Sequence, residues 1–476
     1  MKLSEINIPE ELKQLKFLSE EEVILNSMNF LKSNNIEEVK YGILSLDQYI
    51  KLKKNFRNDF TFNFLFDLVN TIETNINDFK IVNTSLSIFI NLTYYEQSIS
   101  SLYSLITQSM FLKIYDKIIK LNDIYLLNNI IILMCNICCA YNEFKINLIL
   151  NIFFQNLLNS IIIETNSYNL TKEKEKFYLE LYKNITSFLC ILIDIKEIIK
   201  IDDVQNLKLN ETKLNIFKIF LKFIITENIE IYYNSLFGIK ILLDESENLK
   251  NFETILNESN LLNIIIFDQK YIKNSELIAR ESNRVIGNYL YSTSINDNNV
   301  FKRIIDLEEY LLLALITKES KKECFWVLSN ILDNDPDKIN IFLGFNNKII
   351  DYSIKLINEE NENNLMLEIF YFLANLINFS NSNDFCQLIN KGIFDIMINN
   401  IEKYNNDKSI LLIIFESIYK ILQRGESLKE QFPNKENILL NIFNKKNGKD
   451  LIEKYLYSGS NKIENLCELI YNTYYN

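Results

Sequence analysis

The chain has 476 residues, is 48% hydrophobic and carries a formal net charge of −12, with 8 Gly, 3 Pro and no His. So few turn formers argue against an all-β or a doubly wound α/β fold and for long helices joined by Asn- and Lys-containing loops. The absent imidazole removes Ser–His and Cys–His nucleophile pairs and His-containing zinc sites; no GxGxxG, phosphate loop or Ser elbow takes their place, and the acidic balance is not that of a duplex-DNA binder.

Taken from the start, residues 1–35 ("MKLSEINIPEELKQ…") are more acidic than basic, contain no Arg and lack the apolar stretch of a signal peptide. Apolar runs elsewhere, such as "LLLALI", are shorter than a membrane span. A reducing, intracellular setting is expected, because the seven cysteines show no disulfide framework. Cys135, Cys138 and Cys139 in "CNICC" include a C-x-x-C. With no second pair and no His to complete a metal site, small apolar packing on a helix is the reading that fits. No cofactor is expected, and no enzymatic activity.

From Tyr41 onward the chain repeats itself. "SLSIFINLTYYEQS" ends its apolar stripe near Asn91, and "NIIILMCNICCAYNEF" does so near Asn136. "RVIGNYLYSTS" carries Asn288, "FWVLSNILDND" carries Asn330 and "IFYFLANLINFS" carries Asn375. Asn288, Asn330 and Asn375 lie 42 and 45 residues apart, and Asn91 and Asn136 lie 45 apart. That period belongs to two- or three-helix solenoid repeats. Gly344 and Gly392 fall at one phase, where a sharp turn between the first two helices of a unit is expected. The long runs of Asn read as loop filler. Stacked units bury one continuous core and leave a concave surface built from one helix per repeat.

On such a helix Trp326 and Asn330, at i and i+4, point the same way, with Glu323 joining them and Val327 and Leu328 turned to the core. The next repeat copies this as Glu368, Tyr371 and Asn375. A carboxamide can pair with the backbone of an extended peptide. An aromatic wall holds the stem of Lys or Arg, and a Glu supplies opposite charge. The competing reading is that Trp326 and Tyr371 are core and the Asn residues only tie neighbouring repeats together.

The ladder resembles the importin-α family, armadillo-repeat receptors for nuclear localisation signals. "KKECFWVLSNI" is similar to the family's seventh repeat, "RVIGNYL" to the sixth with Arg284 and Asn288, and "LEIFYFLANL" to the eighth with Tyr371 in the Trp position. "FESIYKILQRGE" resembles the ninth and "IEKYLYSGSNKIENLCELIYNTYY" the tenth. "YGILSLDQYIKLKK" resembles the first, the stretches around Asn91 and Asn136 the second and third, and "FGIKILLDE" the fifth, with Phe237 and Asp244. The fourth repeat, around 181–199, has no firm register.

The resemblance implies an all-α, right-handed armadillo superhelical solenoid of about ten repeats. Its segments are 1–35 at the N-terminus, 36–432 for repeats one to nine and 433–476 for the last. It implies an adaptor in nuclear protein import, present in cytoplasm and nucleus, that binds basic localisation signals. The minor-site positions of the family match Arg284, Asn288, Glu323, Trp326, Asn330, Glu368, Tyr371 and Asn375. A weaker set comprises Asn91, Asn136, Phe237 and Asp244. The major-site Trp positions hold Ser87 and Ile132, and an acid of the family aligns with Ala140. The importin-β-binding segment of the family is Arg/Lys-rich, so coupling to importin-β through residues 1–35 is not expected. An armadillo scaffold that has lost signal recognition and binds another protein is the alternative.

Overall fold

The computed structural model describes residues 20–52, 62–94, 109–121, 123–164, 172–195, 203–244, 255–256, 259, 261–267, 275–292, 320–334, 348–429 and 436–476. Every regular element among them is a helix. The chain divides into two compact units, Met1–Leu242 and Leu243–Asn476.

The first unit contains α1 (Glu20–Leu31), α2 (Ile36–Leu52), α3 (Phe62–Thr74), α4 (Phe79–Leu92), α5 (Ser109–Ile119), α6 (Ile124–Ala140), α7 (Asn142–Leu150), α8 (Ile152–Glu164), α9 (Lys172–Ile193), α10 (Asp203–Phe223) and nearly all of α11 (Ile229–Asp244). Here α2 packs on α4, α4 on α6 and α6 on α9, forming one row. Helices α3, α5, α8 and α10 pack on one another in a second row. The second unit contains α12 (Leu261–Phe267), α13 (Glu276–Ser292), α14 (Lys321–Asn334), α15 (Lys348–Glu359), α16 (Asn363–Phe379), α17 (Ser382–Asn390), α18 (Ile393–Asn400), α19 (Lys408–Leu428), α20 (Ile438–Lys445), α21 (Gly448–Tyr455) and α22 (Asn461–Tyr474). Its row runs α13, α14, α16, α19, α22, each against the next.

Where several of these helices start is written in single residues. Asp78 accepts from the N–H groups of Lys80 and Ile81 (3.0 and 3.2 Å), and Asp123 from Tyr125 and Leu126 (2.9 and 3.1 Å). Asn228 does the same for α11 and Asp407 for α19. Each satisfies donors that a helix leaves open at its first turn, an effect of about 1 kcal/mol. Asn228, in a chain whose Asn residues read mostly as loop filler, is therefore a helix start.

A row helix is buried on two sides because it has a neighbour in the row before and after it. In α4 the buried residues are Ile81, Val82, Ser85, Leu86, Ile88, Phe89 and Leu92. Burying one such Ile, Leu or Phe fully contributes about 1.5–3 kcal/mol. What remains open is a narrow face through 84, 87 and 91. The turn expected at Gly392 is present: φ is +83°, in the left-handed region that glycine enters without cost. It sits between α17 and α18. Gly344 lies outside the described residues.

Of the cysteines, Cys138 is fully buried in α6, and burial pushes its thiol up. Cys135 is pushed up to about 12, chiefly by burial and then by neighbouring Cys139. No group of three metal-ligating side chains occurs among the described residues. Among them too, no helix is long and apolar enough to cross a membrane.

Candidate functional site

The burial pattern assigns each row helix its open face. In the second unit the pairs Val285–Ile286, Val327–Leu328 and Phe372–Leu373 are fully buried. The residue before each pair is the face residue: Arg284 on α13, Trp326 on α14 and Tyr371 on α16. Arg284 and Trp326 are half-buried and Tyr371 is exposed. One turn later on the same faces stand Asn288, Asn330 and Asn375. Three residues earlier stand Glu281, Glu323 and Glu368. On α19 the same phase brings Glu416 and, one turn on, Lys420.

The first three helices interlock through side chains. A β carbon on Gly287 would stand 2.1 Å from Cζ3 of Trp326, so the indole lies against the backbone of the preceding row helix. Arg284, one turn before Gly287, places its guanidinium carbon 4.5 Å from the centre of the same ring. Asn288 donates to Asp244 at the end of α11, within this unit, at 2.5 Å. Asn375 donates to the carbonyl and hydroxyl of Ser329 at 3.1 and 2.9 Å. Asn330 and Glu323 are half-buried on α14 between these bonds.

The electrostatics centre on Glu368. Burial pushes its carboxyl above the ordinary range; Lys322 and Arg284 pull it back, and Glu323 pushes it further up. Glu323, Glu368 and Arg284 therefore share one local field. Glu281 is buried and takes both Nε and Nη2 of Arg280, at 3.0 and 2.6 Å.

The first unit carries the same face with other residues. Ser87, Ile132 and Phe237 occupy the face position, and burial of Phe188 and Leu189 supplies the missing register: Ser187 is the fourth member, with Ile191 one turn on. Ser87 donates to Asp47 at 2.9 Å, and Asp47 also pairs with Lys51 at 2.6 Å. Asn91 is half-buried, and Asn136 donates to Thr93 at 2.7 Å. Phe237 stacks on Tyr233 with centroids 6.1 Å apart, and Lys240 sits 4.9 Å over its ring. Ala140 is exposed at the end of α6. Where the second unit has its three Glu residues, this unit has Thr84 on α4 and then a run of carboxamides, Asn129, Asn184 and Asn234. The carboxamides donate to Asn83, Asn128 and Thr186 at 2.8, 2.9 and 3.2 Å.

Arg284, Trp326, Glu323 and Glu368 are thus brought together, and Asp244 is drawn to Asn288. Of the five ladder positions, Asn136, Asn288 and Asn375 spend a donor on the preceding repeat. Glu281 and Ser187 were missed. Glu281 was findable, because Glu281, Arg284 and Asn288 repeat the Glu–x–x–aromatic–x–x–x–Asn spacing with Arg in the aromatic place. Ser187 carries no polar or aromatic pattern that would have marked it.

No family model matches the chain, and no curated protein matches it. Solved structures do. An engineered protein resembles it at 12% identity with a TM-score of 0.65, covering 94% of this chain and 97% of the other. A chain from a study of the interaction between cadherin and beta-catenin resembles it at 10% identity with a TM-score of 0.53, covering 94% and 68%. The fold they share with this protein is an all-α repeat solenoid of the armadillo or HEAT kind.

Proposed function

We propose that this protein binds protein segments along its row helices, and that the second unit binds basic, extended peptides as an importin-α-like adaptor for nuclear localisation signals. The observation that carries the reading is the repeated set Glu281, Glu323 and Glu368 beside Trp326 and Tyr371, at one phase on three consecutive row helices. An aromatic wall attracts Lys or Arg, and carboxylates that are costly to bury gain from a ligand's positive charge. Work in nuclear import, presence in both cytoplasm and nucleus, and the absence of enzymatic activity follow from this reading. Residues 1–35 would meet like charge on an acidic partner, so coupling to importin-β through them is not part of the proposal.

The test is titration of a labelled Lys/Arg-rich signal peptide. Trp326→Ala should weaken binding by on the order of 1–2 kcal/mol. Added salt should weaken it as well, because the head groups stay partly solvated. No measurable binding at low salt, or binding indifferent to Trp326→Ala, would sink the proposal. A second reading is a scaffold for another protein without signal recognition. It is favoured by Asn136, Asn288 and Asn375, whose carboxamides already hold the neighbouring repeat.

A further inference from the structure

We propose that Arg284 is a resident competitor: its guanidinium covers the cation-accepting face of Trp326, and a ligand's basic side chain reaches that face only by displacing it. The inference rests on the reading of this surface as a binder of basic peptides and specifies how that binding is regulated.

The socket is built by the preceding repeat. Gly287 leaves room for the indole, since a β carbon there would collide with the ring at 2.1 Å. Arg284, three residues earlier on the same helix and therefore on the same face, lays its guanidinium over the ring at 4.5 Å. Glycine and arginine together seat the tryptophan, one by vacating space and the other by charge. The same guanidinium is a countercharge for Glu368, whose carboxyl burial drives up and Arg284 draws back down. A ligand cation arriving here relieves only what burial of Glu368 leaves uncompensated by Arg284 and Lys322. It exchanges one cation for another, over the same ring and toward the same carboxylate. Arg284 is half-buried on a long flexible stem and can swing outward.

Two consequences follow. Affinity for a basic peptide is held down by the worth of the internal contact. And the ligand must outcompete a guanidinium, which stacks on aromatic faces as a planar group, so Arg-containing peptides are favoured over Lys-containing ones.

Trp326 is the only tryptophan in the chain, so its fluorescence reports this socket alone. The experiment compares the full-length wild type, Arg284→Gln and Arg284→Lys. It measures collisional quenching by caesium ion, then affinity for an Arg-rich and a Lys-rich peptide of equal length. Arg284→Gln should quench more steeply and bind peptide roughly two- to fivefold more tightly, the worth of one partly solvated cation–π contact. The Lys-rich peptide should gain more than the Arg-rich one. Arg284→Lys keeps the charge but loses the planar stacking, and should fall between wild type and Arg284→Gln. Unchanged quenching in Arg284→Gln would overturn the competitor while leaving basic-peptide binding intact, if the wild type binds. Steeper quenching with unchanged or weaker peptide affinity would also overturn it. Steeper quenching with no peptide bound by any of the three would remove the proposed function along with it.

Discussion

Two stretches of one row pattern have been filled with different chemistry. In the first unit the positions three residues before the face hold Thr84, Asn129, Asn184 and Asn234, and each of the three carboxamides finds a partner on the preceding repeat. In the second unit the equivalent positions hold Glu281, Glu323 and Glu368, under an Arg, a Trp and a Tyr. A neutral amide ladder that is satisfied internally stabilises the stack and has little left to offer a ligand. Glu281 is paired with Arg280, whereas half-buried Glu368 does the reverse: burial disfavours its charge and leaves something for a cation to relieve. The same helix phase thus serves cohesion in one unit and, in the proposed function, recognition in the other.

The largest expected effect sets two glycines against each other. A β carbon on Gly238 would meet the ring of Phe220 at 2.3 Å, and Phe220 is fully buried and cannot turn away. Gly238→Ala should cost about 1–3 kcal/mol in denaturant unfolding. Gly287→Ala pushes on half-buried Trp326, which can swing outward, so its cost should stay under about 1 kcal/mol while tryptophan fluorescence shifts. Equal costs would mean that the second unit is as tightly set as the first.

Next in size is the amide ladder. Asn184→Ala leaves Asn128 without its donor and should lose about 1 kcal/mol. The double variant with Asn128→Ala should lose less than the sum of the two single changes, as a coupled pair requires. Additive losses would show that the bond contributes nothing of its own. In the second unit the corresponding change, Glu368→Gln, should act in the opposite direction. It removes a carboxylate that burial disfavours, so the melting temperature should rise slightly while basic-peptide affinity falls. A lower melting temperature would show that Glu368 is held by favourable contacts after all.

The smallest effect is in pH. Asp116 sits below its ordinary 3.8 because of Lys120, against a burial penalty and helped by Asn156. Asp78 is lowered too: burial works against it, and Lys40 with the N–H groups of Ile81 and Lys80 outweighs that. For these groups the native state holds fewer protons than the unfolded one. Their stabilisation is complete above 3.8 and is lost as pH falls through the lowered values. Glu368 is raised above 4.5, so its cost appears as pH rises through 4.5 and fades on acidification. Hydrogen exchange followed downward in pH should therefore show α4 and α5 losing protection before α16. Simultaneous loss would contradict the assignment.

Much of this was legible in the sequence. The repeat period, the turn at Gly392 and the shared face of Glu323, Trp326 and Asn330 all follow from helical phase, which burial on two sides enforces. Repeat four was not, because Ser187 and Ile191 bear neither the aromatic nor the amide that marked the others, and only burial around them fixes the phase. The bonding of Asn288 and Asn375 was not legible either. A carboxamide serves a peptide or a neighbouring helix equally well, and the choice depends on where Asp244 and Ser329 come to rest. The helix starts at Asp78, Asp123, Asn228 and Asp407 were hidden by a composition so rich in Asn that capping residues did not stand out.

Those starts have a consequence for synthesis. Each of these helices brings its own initiating residue immediately ahead of it, and the bonds joining row helices reach back 40 to 56 residues, as from Ser87 to Asp47, Asn136 to Thr93 and Asn184 to Asn128. A ribosome adding about 5–20 residues per second delivers such a stretch in roughly 2–11 s. Helices form in about a microsecond and their docking follows within milliseconds to minutes. Where docking takes seconds or less, a repeat can therefore settle onto its predecessor while the following one is still being made. The growing chain keeps only its newest edge uncovered, and the time that edge stays bare is set by translation speed.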